Sequence, residues 1–174
     1  MTKLITVLLS LVVSSALYAQ SPTAVRDQIF GETDAVKKQA EDLNAKLLAP
    51  ESYAEGMKVY LEAVDTMEKG KDLDRVREEL GEAKGFFQRS VDASKLAQTT
   101  FTQAIAARSA AEKAESAKYA AKDWQRAEAT LMDAAATLEG GNLNKATKAG
   151  KDAEEAYHAA ETKAIAAKAR AAKK

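Results

Sequence analysis

The chain has 174 residues, with 26 basic and 26 acidic side chains, 6% aromatic residues and no cysteine. This balanced charge argues against general nucleic-acid binding, which depends on neutralising many phosphates. Without cysteine, neither a disulfide nor a lipid-modified amino-terminal cysteine can form, so the fold must rest on the packing of its secondary structure.

The first 19 residues have the pattern of a secretory signal peptide. A basic start is followed by an apolar, uncharged stretch and then by small residues that end at Ala19. We expect cleavage after Ala19, so that the exported chain begins at Gln20 and is either secreted or retained in the periplasm, within the cell envelope. The alternative is an uncleaved membrane anchor. It is disfavoured because the stretch 4–19 has only 16 residues, and a helix needs about 20 to span a bilayer.

From residue 24 onward, apolar or small residues recur at spacings of three and four, the pattern of helices with one buried face. Breaks in the pattern predict five helices. They cover about residues 24–48, 51–69, 72–120, 122–139 and 142–172. The third helix has about 49 residues and a length of about 70 Å at about 1.5 Å per residue.

Turn-forming residues mark the ends of these helices. Gly70 and the pair Gly140 and Gly141 can adopt the left-handed conformation that closes a helix. Asp72 and Asn142 follow them, where the next helix needs a side-chain acceptor for its free amide groups. Both regions are therefore predicted to be helix hairpin turns.

Pro50 predicts the break between the first two helices, because proline disfavours helical geometry in the residue before it but fits the first turn of a helix. Ser52 and Glu55 could form a capping box there. The later break has no proline. We place it near Ala120 or Ala121, where only the internal repeat of the sequence indicates it.

The chain contains an internal repeat. Residues 53–93 align with residues 124–163 at a shift of 71 positions, which falls to 70 after the unmatched Lys71. The two copies span about 24–94 and 95–166, and the long third helix belongs to both. We therefore predict an all-α fold. It is an elongated antiparallel helical bundle of two three-helix units that share one long central helix. In architecture alone, this plan resembles spectrin-type repeats.

Large side chains on the apolar stripe of each copy are predicted to form a buried seam. They are Tyr53, Leu80 and Phe87 in the first copy, and Trp124, Leu131 and Tyr157 in the second. Trp124 could also be a ligand-stacking platform or an interface anchor. Core packing is favoured because Tyr53 occupies the same position in the first copy.

Two segments resemble a known motif. The run YAAKDW at 119–124 and the run LAPESY at 48–53, which contains the motif's proline, are similar to a family of bacterial exported helical domains, domain of unknown function 4398. The resemblance covers residues 26–168 when both copies are counted. It implies residence in the cell envelope and implies no reaction.

A second resemblance is weaker. Leu138, Gly141, Asn142 and Ala146 look like the turn of a tetratricopeptide repeat. Those repeats recur about every 34 residues, whereas this chain recurs at 70 to 71. A tetratricopeptide-like groove is therefore kept only as an alternative.

No catalytic residue, cofactor or metal site is predicted. The only histidine, His158, follows Glu155 by three residues, a helical spacing that can hold a metal. Di-iron bundles require two such pairs and two further glutamates, and only a homodimer could supply the second pair. Nucleophilic catalysis is disfavoured because cysteine is absent and no serine has a histidine near it in sequence.

Few residues are candidates for an interface. Phe86 is displaced from the seam, and it is an interface candidate if it is exposed. The alanine-rich tail, residues 162–174, has no acidic residue and could bind anionic lipid head groups or cell-wall polymer. Favourable charge at the carboxyl end of a helix explains the tail more simply. Its candidate residues are Lys168, Arg170, Lys173 and Lys174.

These features favour a non-enzymatic exported protein, a helical spacer or protein-interaction module of the cell envelope. Its partner would be an envelope protein or cell-wall polymer, without nucleic acid and without a stable membrane span after signal cleavage. The alternative is a periplasmic chaperone-like or ligand-binding helical module, which predicts a groove. Small-residue stripes are compatible with homo-oligomers.

Overall fold

A computed structural model describes residues 22–70 and 72–173, with side chains described from Val25 onward. The predicted signal peptide, Lys71 and Lys174 lie outside the described residues. Every regular element in the described residues is an α-helix, which confirms the all-α prediction. The helices are α1 (Pro22–Asp42), α2 (Ala45–Leu48), α3 (Pro50–Glu68), α4 (Leu73–Thr100), α5 (Thr102–Lys113), α6 (Ser116–Tyr119), α7 (Ala121–Glu139) and α8 (Leu143–Ala171).

The first three-helix unit consists of α1, α3 and α4, and aromatic rings form its centre. The rings of Phe30 and Tyr60 lie 5.7 Å apart, and those of Tyr60 and Phe87 lie 6.2 Å apart. Leu80 and Phe87 are buried in the same cluster. The hydroxyl of Thr33 donates to the carbonyl of Leu80 at 3.2 Å, which ties α1 to α4.

The second unit consists of α5, α7 and α8, and its core is rich in alanine. Leu131 and Tyr157 are its fully buried large side chains. Small residues let the helices approach closely, so burial is achieved with little side-chain volume. The buried alanines of this cluster include Ala104, Ala107, Ala111, Ala127, Ala134 and Ala153.

One long helix joins the two units. α4 passes into α5 through Phe101, where the N–H of Phe101 donates to the carbonyl of Ala97 at 2.8 Å and the N–H of Ile105 donates to the carbonyl of Phe101 at 2.9 Å. The two segments together extend about 60 Å at about 1.5 Å per residue. The local distortion at Phe101 follows from neighbouring threonines, whose hydroxyls bond to carbonyls one turn earlier and bend the helix. They are Thr99, Thr100 and Thr102.

Two of the predicted helices are too long. The shared helix was predicted to reach residue 120 but ends at Lys113, because Glu115 has a left-handed backbone with φ 60°. The predicted first helix, 24–48, is likewise interrupted at Asn44, where φ is 55°. A left-handed residue breaks the path of the helical backbone. The two residues are 71 positions apart, so the interruption belongs to the repeat.

Bends and turns also fall at equivalent positions. Ala49 and Ala120 precede α3 and α7, with φ of −150° and −141°, so the break predicted near Ala120 is present. Gly70 and Gly141 have φ of 63° and 82°. Gly140 has φ of −70°, so the prediction of a left-handed conformation there is wrong and Gly141 alone closes the second turn.

The helix starts after these turns are capped by side chains. The N–H of Asp74 donates to Oδ1 of Asp72 at 2.9 Å, and the N–H of Lys145 donates to Oδ1 of Asn142 at 3.1 Å. Pro50 is the first residue of α3, where its missing N–H leaves no hydrogen bond unmade. Local side-chain chemistry therefore determines where α4, α8 and α3 begin.

Candidate functional site

The two units meet where α2 and the start of α3 lie against α7. Leu48 is only 4% exposed, and it packs with the core of the second unit in a cluster that includes Ala135 and Leu138 of α7. Removing these apolar side chains from water stabilises the contact. The junction therefore fixes the two units relative to each other, in addition to the helix that they share.

A carboxylate closes this junction. The oxygens of Glu139, at the end of α7, accept hydrogen bonds from the N–H groups of Glu51 (2.9 Å) and Ser52 (3.1 Å) at the start of α3. The first amides of a helix lack partners within it, and the helix dipole favours a negative charge there. The predicted capping box of Ser52 and Glu55 is wrong, because α3 has no side-chain cap of its own and is capped by Glu139.

A groove of about 500 Å³ runs along the junction between α2 and α7. Its apolar lining comes from Leu47 of α2 and from Trp124, Ala129 and Met132 of α7. A concave and mostly apolar surface with a few polar groups is typical of binding sites. The polar lining consists of Asn44, Lys46, Arg108, Gln125 and Glu128.

Arg108, Glu128 and Tyr157 form a hydrogen-bonded network at the wall of this groove. Nε and Nη2 of Arg108 donate to Oε1 and Oε2 of Glu128 at 2.7 and 3.2 Å. The hydroxyl of Tyr157 donates to Oε1 of Glu128 at 2.6 Å. The network ties α5, α7 and α8 together, and it uses both carboxylate oxygens.

The network also shifts the pKa values of Tyr157 and Arg108. Burial, and then the hydrogen bond to Glu128, raise the pKa of the Tyr157 hydroxyl well above its usual range. Burial acts to lower the pKa of Arg108, but the hydrogen bond and charge of Glu128 outweigh it and the net shift is upward. Tyr157 therefore stays neutral and Arg108 stays charged at ordinary pH, which suits positioning rather than proton transfer.

Trp124 contacts both the core and the groove. Its ring lies 5.6 Å from that of Tyr157, as Tyr53 lies 5.8 Å from Phe87 in the first unit. The guanidinium of Arg108 lies 5.3 Å from the Trp124 ring. Trp124 is therefore part of the seam, and its remaining surface lines the groove.

The predicted interface residues are not gathered at this groove. Phe86 is half-buried against the first core, and the guanidinium of Arg89 lies 4.2 Å from its ring. In the tail, Lys168 forms an ion pair with Glu115 and lies 5.9 Å from the ring of Tyr119. Its contacts hold the end of α8 against α6. The other two described candidates of the tail, Arg170 and Lys173, are exposed.

His158 does not pair with Glu155. Its side chain is 58% exposed, and Nδ1 lies 3.5 Å from Oε2 of Glu161 on the following turn. Within residues 22–70 and 72–173, no group of three or more histidine, aspartate or glutamate side chains is placed to hold a metal ion. Among those residues, no helix is long and apolar enough to cross a membrane.

The sequence did not single out several residues of the junction. Leu47, Arg108, Glu128 and Glu139 act through contacts with helices distant in the sequence; Glu139, for example, lies 87 positions from Ser52. The repeat did contain a signal for Glu128, because the equivalent residue in the first copy is the apolar Met57. A charged residue that replaces an apolar one at an equivalent position indicates a contact specific to that copy.

Comparisons with models of protein families, with curated proteins and with solved structures found no match for this chain.

Proposed function

We propose that the chain is a non-enzymatic exported helical spacer or protein-interaction module of the cell envelope. One observation carries the proposal: the shared helix and the junction closed by Leu48 and Glu139 make the two units one continuous body. Such a body keeps its two ends about 60 Å apart, a distance estimated from helical rise. Holding two attachment points at a fixed distance is the task of a spacer.

The chemistry of the junction supports binding rather than catalysis. Glu128 accepts hydrogen bonds from both Arg108 and Tyr157, so its carboxylate is already engaged. A general base needs a free acceptor within hydrogen-bond reach of its substrate. The groove therefore offers shape and apolar surface, with Leu47 and Met132 on its walls.

Export and envelope contact can be tested in one experiment. The 174-residue chain and a version without residues 1–19 are expressed with a carboxyl-terminal tag, and both carry a photo-crosslinking amino acid at the exposed Leu96. We expect the 174-residue chain in the envelope fraction, cross-linked to an envelope protein or cell-wall polymer, and the shortened one in the cytoplasm. Cytoplasmic retention of both, or export without any cross-linked species, would contradict the proposal.

A ligand-binding or chaperone-like role is the second candidate, and the groove at the junction favours it. Trp124 is the only tryptophan, so its fluorescence reports on the groove without labelling. This role predicts that an apolar dye changes that fluorescence and raises the melting temperature, and that Met132→Lys abolishes both effects while Leu96→Lys preserves them. A dye that leaves both signals unchanged would reject this candidate.

A further inference from the structure

The junction has two halves, and the repeat supplies each half twice. One half is the corner formed by α2 and the start of α3; its equivalent is the α6 corner, residues 116–123. The other half is the outer face of α7 that ends at Glu139; its equivalent is the α3 face, defined by Leu61, Val64 and Glu68. Within one chain, the α2 corner packs against the α7 face. The α6 corner and the α3 face have no such contact with each other.

The two corners have the same backbone. α2 and α6 each have four residues, and α3 and α7 each have 19. The left-handed residue before the short helix has φ of 55° at Asn44 and 60° at Glu115. The residue after it has φ of −150° at Ala49 and −141° at Ala120. Because the two corners share one backbone shape, a helix face that packs against the α2 corner can also pack against the α6 corner.

The α3 face lacks the cover that its equivalent receives. Ala135 of α7 is fully buried at the junction, whereas the equivalent Val64 is only half-buried. Leu61 is 56% exposed, and its equivalent Met132 lines the groove beside α2. Glu68 is exposed at the end of α3, in the position from which Glu139 caps a helix. Apolar side chains and a carboxylate thus share one uncovered stripe.

The charges of the two surfaces are complementary. On and beside the α3 face, the side chains of Glu62, Asp65 and Glu68 are exposed. Asp123 of the α6 corner and the preceding Glu115 are paired with Lys163 and Lys168. Lys122 is exposed beside the first amides of α7. Opposite charges favour encounter between such surfaces and fix their orientation.

We propose that copies of this chain associate head to tail, with the α6 corner of one copy on the α3 face of the next. Glu68 of the second copy then caps the first amides of α7, at Lys122 and Asp123, as Glu139 caps α3 within the chain. Such a contact joins two different surfaces and can extend into a filament. The inference goes beyond the proposed function, since it rests on the repeat and not on export.

The end of α8 opposes this association. Residues 163–170 and residues 22–29 of α1 are both equivalent to residues 93–100 of the shared helix, so in neighbouring copies they would occupy the same position. Lys168 holds the end of α8 in place through Glu115 and Tyr119. Docking requires this segment to move, so loosening it should strengthen association.

Sedimentation of the unmodified chain and of four variants over a range of concentrations tests the proposal. The face variant is Leu61→Asp with Glu68→Ala, the corner variant is Lys118→Glu with Lys122→Glu, and the loosened variant is Lys168→Glu. All of these residues are exposed or half-exposed, and circular dichroism checks that each variant keeps its helices. Leu96→Asp is the matched control, because Leu96 is 53% exposed but lies on neither surface.

The loosened variant and, at higher concentration, the unmodified chain should form dimers and longer species, as should the Leu96→Asp control. The face and corner variants should each remain monomeric. Their equimolar mixture should form dimers only, because one intact corner and one intact face remain. Monomers in both the unmodified chain and the loosened variant would overturn the proposal, as would association that the face variant retains or a mixture that forms no dimer.

Discussion

The ring of Phe101 lies against Gly150 at a separation that leaves no room for a side chain at position 150. A Cβ atom added to Gly150 would lie 2.6 Å from Cδ1 of Phe101. The first unit has the same arrangement, since a Cβ atom on Gly56 would lie 2.9 Å from the ring of Phe87. In both units, a glycine on one helix allows an aromatic ring of the shared helix to reach the core.

Gly150→Ala should therefore lower the free energy of unfolding by about 1–3 kcal/mol, the usual cost of forcing extra volume into a packed core. The control is Gly81→Ala, because Gly81 is helical and a Cβ atom there would meet nothing within 4 Å. That change should stabilise the chain by up to about 1 kcal/mol through helix propensity. Urea unfolding compares the two, and equal stability of both variants would contradict the close approach of Phe101.

Truncation of the first core should be costly. Leu80 and Phe87 are 3% and 0% exposed, and Leu80→Ala or Phe87→Ala should each cost about 2–5 kcal/mol because a cavity remains. Ile165→Ala in the tail is the control, since Ile165 is 56% exposed and its loss should have little effect. A melting temperature that Phe87→Ala leaves unchanged would show that the seam is wrongly assigned.

Glu139→Gln tests the cap at the junction. The amide side chain offers one acceptor oxygen instead of two and no charge, so the variant should lose about 0.5–2 kcal/mol of stability. Glu68→Gln is the matched control, measured at concentrations where the chain is monomeric, because Glu68 occupies the equivalent position without an equivalent contact. Equal unfolding free energies for the two variants would mean that the bonds to Glu51 and Ser52 contribute nothing.

Tyr157 should make stability depend on alkaline pH. Its folded pKa is raised, first by burial and then by Glu128, whereas an unfolded tyrosine has a pKa of about 10. The stabilisation is therefore complete below about pH 10 and is lost as the pH rises above it, since only the unfolded chain releases the proton. Tyr53 and Tyr60 also have raised pKa values, chiefly through burial. They add to the same decrease of the unfolding free energy with rising pH.

Tyr157→Phe removes this contribution. At neutral pH the variant should be less stable by about 1.5–3 kcal/mol, the value of a hydrogen bond to a charged group. Between about pH 9 and about pH 11, its unfolding free energy should fall less steeply than that of the unmodified chain. Identical slopes would indicate that Tyr157 ionises as readily in the folded state as in the unfolded one.

Local chemistry made part of the fold predictable. Gly70 and Gly141 are left-handed because only glycine adopts that conformation without a steric cost, and Asp72 and Asn142 cap the helices that follow. The break at Ala120 has no local signal. It was predictable only because its copy, Ala49, precedes a proline.

Other features depend on contacts that a single sequence does not display. Glu115 is a strong helix former that adopts a left-handed conformation, so tertiary packing overrides its preference. Asn44 tolerates this conformation better. Glu115 is the equivalent residue of the second copy, so a break at Asn44 indicates one at Glu115. The pairing of Glu139 with Ser52 joins residues that are 87 positions apart, and no helical periodicity connects them.

The helix running from Leu73 through Phe101 to Lys113 joins the two units into one rod. Small-angle X-ray scattering of the monomer, with its mass fixed by light scattering, measures whether this rod persists in solution. A rod of about 60–70 Å should have a radius of gyration of about 20 Å. A value near about 15 Å, expected for a compact globule of this length, would mean that the units fold back on each other and that the shared helix is broken.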